Sequence, residues 1–345
     1  MSGPARTAYQ VTIGGHRASS DGGGGDRQLV SLVVELGMDG VGGRCVLELG
    51  GAEQTPADPG APVSVTLDAG NGAVTVFTGK AFASEATAVS QVMRAGDGLT
   101  KLAAIEVEQA YQESSADFII KDLLSKAGAT PGTVTRGPDL PFYALHAGVS
   151  ALTHLRALAG LTGGDIYTDG HGRVHVATPR TGGADSNLVF GETILALDLR
   201  KMPPAFDGVQ LWGEGAASSK GKDKAHWLST DLSGVKGEAA VTADSKVQEG
   251  RAGTAPRRVH NGAIRSGAAA GDAAKGMATR LAARALRGRI DVFGAPELMP
   301  GDLVTIARLP PDHAAAALLG GKPLRVRSVR HTLSRQRGLR TRIEV

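Results

Sequence analysis

Val63, Val65 and Leu67 alternate with Ser64 and Thr66, a spacing that gives one apolar face to an extended strand and none to a helix. Asp68-Ala-Gly-Asn-Gly72 follows with an Asn-Gly reversal signal, and Ala73 to Gly79 returns as a second strand. Ala8 to Ile13, Leu29 to Leu36 and Arg44 to Leu49 read as further strands, and Thr100 to Val107 as the last of this unit. Short strands with little helix between them point to a barrel or sandwich. The 49 glycines against 16 prolines fit the turns such a fold needs. With aromatics at 4%, the cores have to be built from Leu, Val, Ile and Ala.

After residue 108 the pattern changes. Ser114-Ser115 ahead of Asp117 is a helix start, with Phe118, Ile119, Leu123 and Leu124 on one face and Gly128 as the stop. A second helix begins near Ser150, carries Leu152, Leu155 and Leu158 on one stripe, and ends by Gly163-Gly164. Asp165 to Thr168, the turn Asp169-Gly-His-Gly172 and Arg173 to Ala177 make a hairpin. Leu195 to Leu199 and Gly208 to Trp212 are strands again, while residues 214–262 are expected to form long, mobile excursions from a sheet. A third helix is expected from about Gly271 to Gly288, with Met277, Leu281 and Ala285 inward and Arg280, Arg284 and Arg287 outward. Arg289 to Phe293, Leu303 to Ile306, Leu324 to Leu333 and Leu339 to Val345 complete the chain as strands. The expected class is α+β, mainly β: a first β-barrel domain at 1–108, an α+β insert at 109–190, and a second β-barrel domain at 191–345.

The net charge is +4, but residues 265–345 hold 15 Lys/Arg against 6 Asp/Glu and the part before them is net acidic. That asymmetry fits a solvated basic face, an acidic neighbouring protein or passing DNA. A lone Cys45 forms no disulfide within the chain, and no stretch approaches the roughly 18 apolar residues of a membrane span. Assembly in the cytoplasm without membrane insertion is expected.

No constellation supports catalysis, a cofactor or a metal. His171 and His175 flank a turn without a third ligand and read as an exposed polar strand face; His146 and His154 read as surface or helix-packing residues. Asp21-Gly-Gly-Gly-Gly-Asp26 lacks the Lys-Ser/Thr and the helix of a phosphate loop, and Gly320-Gly-Lys322 runs into Pro323. Glu106 and Glu108 would share a strand face near Glu113, the raw material of a glycosidase pair, but nothing suggests a cleft. Cys45 sits in an apolar strand as a small core residue.

The C-terminal third resembles a known family. Gly294-Ala-Pro-Glu-Leu-Met-Pro-Gly-Asp-Leu-Val-Thr-Ile306, then Leu324-Arg-Val-Arg-Ser-Val-Arg-His-Thr-Leu333 and Leu339 to Val345, is similar to the closing hairpin and strand pair of phage late control gene D proteins. The hub-like N-terminal part of type VI secretion spike proteins shares this likeness. The Asp169-Gly-His-Gly-Arg-Val-His-Val176 hairpin resembles the family's insert, and Phe206-Asp-Gly-Val-Gln-Leu-Trp-Gly213 the strand re-entering the second barrel. The resemblance implies a baseplate hub of a phage tail, bacteriocin or injection particle. In it, a homotrimer of two-barrel subunits joins a sixfold tail tube protein to a threefold spike, amid other baseplate proteins. Since the sequence stops at Val345 without an OB-fold or needle, a separate spike protein is expected. A different class, a carbohydrate- or cell-surface-binding β module, is the alternative, and a hub with peptidoglycan hydrolase activity a third.

Overall fold

The computed structural model describes residues 7–345 apart from 22–27, 39, 41, 52–57, 181, 203 and 215–234. The first β unit comprises β1 (Ala8–Ile13), β2 (His16–Ser19), β3 (Leu29–Gly37), β4 (Arg44–Gly50), β5 (Pro62–Asp68), β6 (Val74–Ala86) and β7 (Ser90–Gly96). Next come α1 (Gly98–Leu102), β8 (Gln109–Ser115), α2 (Ala116–Lys126), β9 (Pro131–Val134), β10 (Asp139–Leu145), α3 (Ala151–Thr162), β11 (Asp165–Thr168) and β12 (Val174–Ala177). They are followed by β13 (Ser186–Val189), β14 (Ile194–Lys201), β15 (Gly208–Trp212), β16 (Lys236–Val241), β17 (Val247–Glu249), β18 (Pro256–His260) and α4 (Gly267–Ala282). The chain closes with β19 (Leu286–Phe293), β20 (Leu303–Ala307), α5 (Ala314–Leu319), β21 (Leu324–Arg325), β22 (Ser328–Ser334) and β23 (Gly338–Glu344).

The alternation read at residues 62–67 is carried through: Val63, Val65 and Leu67 are buried, and Asp68 accepts from the Gly70 and Gly72 amides at 2.7 and 3.1 Å to shape the turn. Both β units join in one eleven-stranded sheet, ordered β14-β19-β23-β22-β3-β4-β7-β6-β5-β1-β2. Its seam is the antiparallel pair β22–β3, with Val329 opposite Leu36, His331 opposite Val34 and Leu333 opposite Leu32. The expected tubes are thus continuous with each other, and among the described residues no pairing closes either into a barrel.

Three cores fill the molecule. Leu32, Val65, Phe77 and Met93 build the first, which Leu333 and Leu339 complete from the far end of the chain. Ile290, Val292, Val304, Val326 and Ile343 build the C-terminal one. The middle core joins Ile119, Leu155, Leu158 and Val176 to Val209, Leu211, Ala239 and the buried face of α4, so it draws on residues from both sides of position 190.

Several local expectations fail for identifiable reasons. Residues 98–102 are helical, not extended, because Asp97 caps them by accepting from Leu99 and Thr100 and buries Leu99 and Leu102 beneath. Phe118 is 55% exposed, and Ile120 takes its place on the buried face of α2. Residues 235–260 contain β16, β17 and β18, which join β15 in a four-stranded sheet; residues 215–234 of the expected excursions lie outside the described residues. The apolar signal of β16 is faint because it packs with small residues, Gly237 lying against the Ala270 carbonyl.

Helix α4 starts at Ser266, whose hydroxyl accepts from the Ala269 amide, and it stops before Gly288, which lies inside β19. Its buried face is Ala269, Ala270, Ala273, Ala274 and Ala278, set close on β15, β16 and α3. Met277, Leu281 and Ala285 are only half-buried, and Arg280 and Arg284 turn inward. Leu324 to Leu333 is broken between Arg325 and Ser328 into two strands of different sheets.

Candidate functional site

The β11–β12 hairpin belongs to the middle core through Ile166, Val174 and Val176. Gly163, at φ 70°, ends α3 in the left-handed conformation that spares it a Cβ penalty. A Cβ there would also run into the backbone of Gly276 on α4. The next strand therefore begins with Asp165 driven into the interior.

Four guanidinium groups surround the Asp165 carboxylate, whose side chain is 1% exposed. Arg280 of α4 lies at 3.2 Å, Arg284 just beyond that helix at 3.4 Å and Arg327 at 3.6 Å, with Arg325 of β21 in closest contact. Burial alone would raise its pKa, but Arg325, Arg327 and Arg280 override it and hold the carboxyl below the usual carboxylate range. Arg325 also donates to the Ala177 carbonyl at 3.3 Å, so one side chain clamps both strands of the hairpin.

The other end of β11 is fixed to the first β unit. The Thr168 hydroxyl donates to Asp97, which also accepts from the Gly43 amide at 2.6 Å and the Leu99 amide at 3.0 Å. Burial raises the Asp97 pKa against these hydrogen bonds. At the turn, the Thr78 hydroxyl donates to the Gly170 carbonyl at 2.9 Å, and Gly170 fits so tightly that a Cβ would meet the Thr75 carbonyl. Both ends and the tip are thus anchored in different parts of the chain.

The histidines expected on an exposed face separate here. His171 is exposed at the turn, while the side chain of His175 is 13% exposed and stacks on Tyr167 at 4.9 Å and 7°. The Thr133 amide donates to its Nδ1 at 3.0 Å, which leaves Nε2 to carry the proton toward Asp169 at 3.2 Å. Burial works against the Asp169 charge, but hydrogen bonds from His175 and Arg173 hold its carboxyl well below the usual range. His154 lies on the buried face of α3, with its ring 5.1 Å from that of His146, whose amide donates to it at 3.4 Å. Burial lowers its pKa.

Glu106 and Glu108 do not share a strand. Glu106 accepts from the Gly148 amide at 2.9 Å and pins the loop before α3, while Glu113 lies in β8 at φ 46°. Cys45 is buried, and burial pushes its thiol pKa up, which makes it inert. Gly320 and Gly321 are left-handed turn residues after α5, and Lys322 reaches the Asp244 carbonyl at 3.4 Å. Residues 22–25 and Asp26 of the glycine loop lie outside the described residues. Among the described residues no group of three His, Cys, Asp or Glu side chains is placed to hold a metal ion, and no helix is long and apolar enough to cross a membrane.

Asp97, Asp165 and the arginine cluster were not singled out from sequence. The available signal was the four-residue spacing of Arg280 and Arg284, which puts both on one helix face, together with an aspartate directly after Gly163-Gly164. His331 lies in β22, within the stretch Leu324 to Leu333. It is buried at the seam, hydrogen-bonded to the Thr341 hydroxyl at 3.0 Å, and burial pushes its pKa down to about 4.

No family model matches the sequence, and no curated protein matches it. Solved structures do. A prophage MuSo2 tail protein from Shewanella oneidensis is 14% identical, with a TM-score of 0.67 over 98% of this chain and 98% of that one. A tail protein from Neisseria meningitidis is also 14% identical, with a TM-score of 0.67 over 98% and 96%. The chain has the fold of phage tail proteins. A type VI secretion component from E. coli, described as similar to T4 bacteriophage tail proteins, shares this tail-protein fold at 10% identity, with a TM-score of 0.57 over 97% of this chain and 75% of that one.

Proposed function

We propose that this chain is a structural baseplate hub subunit of a contractile particle, a phage tail, phage-like bacteriocin or injection system. It works as a homotrimer that adapts a sixfold tail tube to a threefold spike made by a separate protein. The observation that carries this reading is the eleven-stranded sheet in which two β units lie edge to edge, inside a fold shared along nearly its whole length with two tail proteins. A subunit with two side-by-side β units presents two lobes to a ring, so three copies present six.

The buried junction suits a part that must transmit force without changing shape. Asp165 and Asp97 tie the hairpin to both β units through charge-assisted and backbone hydrogen bonds, which hold geometry more tightly than apolar contact alone. The chain acts through interfaces, and no catalytic step is assigned to it.

Native mass spectrometry of the purified chain, followed by negative-stain imaging, tests the reading. Three copies in rings of six similar lobes are expected. A stable state of one, two or six copies in the assembled particle would sink it.

A further inference from the structure

One end of the sheet carries a cleft that the proposed hub role does not explain. It has a volume of about 530 Å³ and is lined by the ends of neighbouring strands: Asp198 and Arg200 on β14, Arg287 and Arg289 on β19, and Glu344 on β23. Arg284 and Arg327 form its inner wall, where both also approach Asp165.

Elsewhere on the sheet opposed arginines have carboxylate partners, as Arg330 and Arg342 do. Arg44 and Arg330 both reach Glu35, at 2.5 and 2.6 Å, Arg94 reaches Glu85 at 2.5 Å, and Arg342 reaches Asp291 at 2.6 Å. Among the described residues Arg200 and Arg287 form no ion pair, while Arg289 lies opposite Asp198 on β14 and Glu344 on β23 without an ion-pair contact. Arg200 and Arg287 are moreover directly opposite each other in the antiparallel register, an arrangement of like charges that costs stability. Such a cost is what a site kept for an anion would show.

We propose that this cleft takes a carboxylate-bearing segment of another polypeptide. Guanidinium forks match carboxylates two bonds at a time. Nucleic acid fits less well, because Asp198 and Glu344 sit among the arginines and would repel every phosphate oxygen brought near them. A peptide instead supplies N–H donors for those two carboxylates alongside acidic side chains for the arginines. No aromatic ring lines the cleft to stack a base. The cleft also borders β14, the terminal strand of the sheet, whose outer flank is unpaired among the described residues. An extended segment can add to that edge by main-chain hydrogen bonds while its carboxylates reach Arg200 and Arg289. The inference stands on the cleft alone and is independent of the trimer.

The test is fluorescence anisotropy with the full chain and fluorescein-labelled hexaglutamate at low salt. Saturable binding is expected, weakened about tenfold or more in the double variant Arg200→Gln/Arg289→Gln by loss of charge-assisted contacts. Arg257→Gln/Arg258→Gln, exposed arginines on β18, should leave it unchanged. All four positions are solvent-exposed, and an unchanged melting curve for each variant separates lost binding from lost folding. Absence of saturable binding, equal loss in the β18 variant, or tighter binding of an oligothymidylate of matching charge would each overturn the assignment, the last in favour of nucleic acid.

Discussion

Asp165→Asn is the change that isolates what the junction contributes. The amide keeps the shape of the carboxylate but leaves Arg280, Arg284, Arg325 and Arg327 facing one another around a neutral centre. Removing one partner of a buried ionic cluster typically costs about 3–5 kcal/mol, because the remaining charges lose their counter-charge without regaining water. Each kcal/mol lowers Tm by about 2–4 °C in a cooperative unit of roughly 150–250 residues, so a fall of roughly 6–20 °C is expected. Calorimetry and urea titration of the purified chain would read it. Arg325, the most buried of the four at 9% exposure, supplies the second arm of the test. Adding Arg325→Gln to Asp165→Asn should cost less than it does in the wild-type chain, since it then relieves repulsion. A Tm unchanged by Asp165→Asn, or strict additivity of the two substitutions, would mean that the arginines are solvated and that the junction is not held by charge.

Three further outcomes follow from other sites. His331 has its pKa pushed down from 6.5 to about 4, so the unfolded chain takes up its proton first; the stability from neutral His331 is complete above about pH 6.5 and falls by about 3 kcal/mol as pH drops to about 4, a slope that His331→Gln should flatten in urea titrations. Gly276→Ala would gain about 1 kcal/mol in an isolated helix, yet here it should lower Tm, because its Cβ would sit 2.9 Å from the Gly163 Cα; an increase would show that the α3–α4 contact yields easily. Val304→Asp puts a charge into the C-terminal core, where Val304 is 0% exposed, and should abolish soluble folded protein; normal yield and melting would mean that the core tolerates water.

The strands of the first β unit were legible because one of their faces is buried and the other wet, so Val63, Val65 and Leu67 leave a period of two in the sequence. The helices α2 and α3 were legible for the matching reason, with Ser115 and Ser150 at their N-cap positions, Ser150 accepting from the Thr153 amide, and left-handed Gly128 and Gly163 at their ends. Helix α4 misled because its contact face is alanine, which hydropathy weighs lightly, while Met277 and Leu281 draw the eye to the wrong side. The junction was hidden more deeply. Asp165 and Arg325 are 160 positions apart, and an aspartate in sequence gives no sign that four cations from elsewhere will enclose it. Arg287 and Arg289 were counted in the basic C-terminal excess, but that Arg200, outside that stretch, faces Arg287 directly is visible only from the strand register.

The seam between β3 and β22 also dictates when the protein can fold. Ser31 pairs with Ser334, so the first β unit leaves the ribosome with one strand edge bare and with a core still missing Leu333 and Leu339. At about 5–20 residues per second, the missing strand arrives roughly 15–60 s later. Throughout that interval β3 offers a ready template to any other nascent copy nearby, and antiparallel pairing of two β3 edges would trap both chains. Translation speed and chaperone occupancy over the middle of the message therefore bear on yield as directly as any side chain does. A chain cut before β22 should not be a shorter version of this protein but an aggregating one.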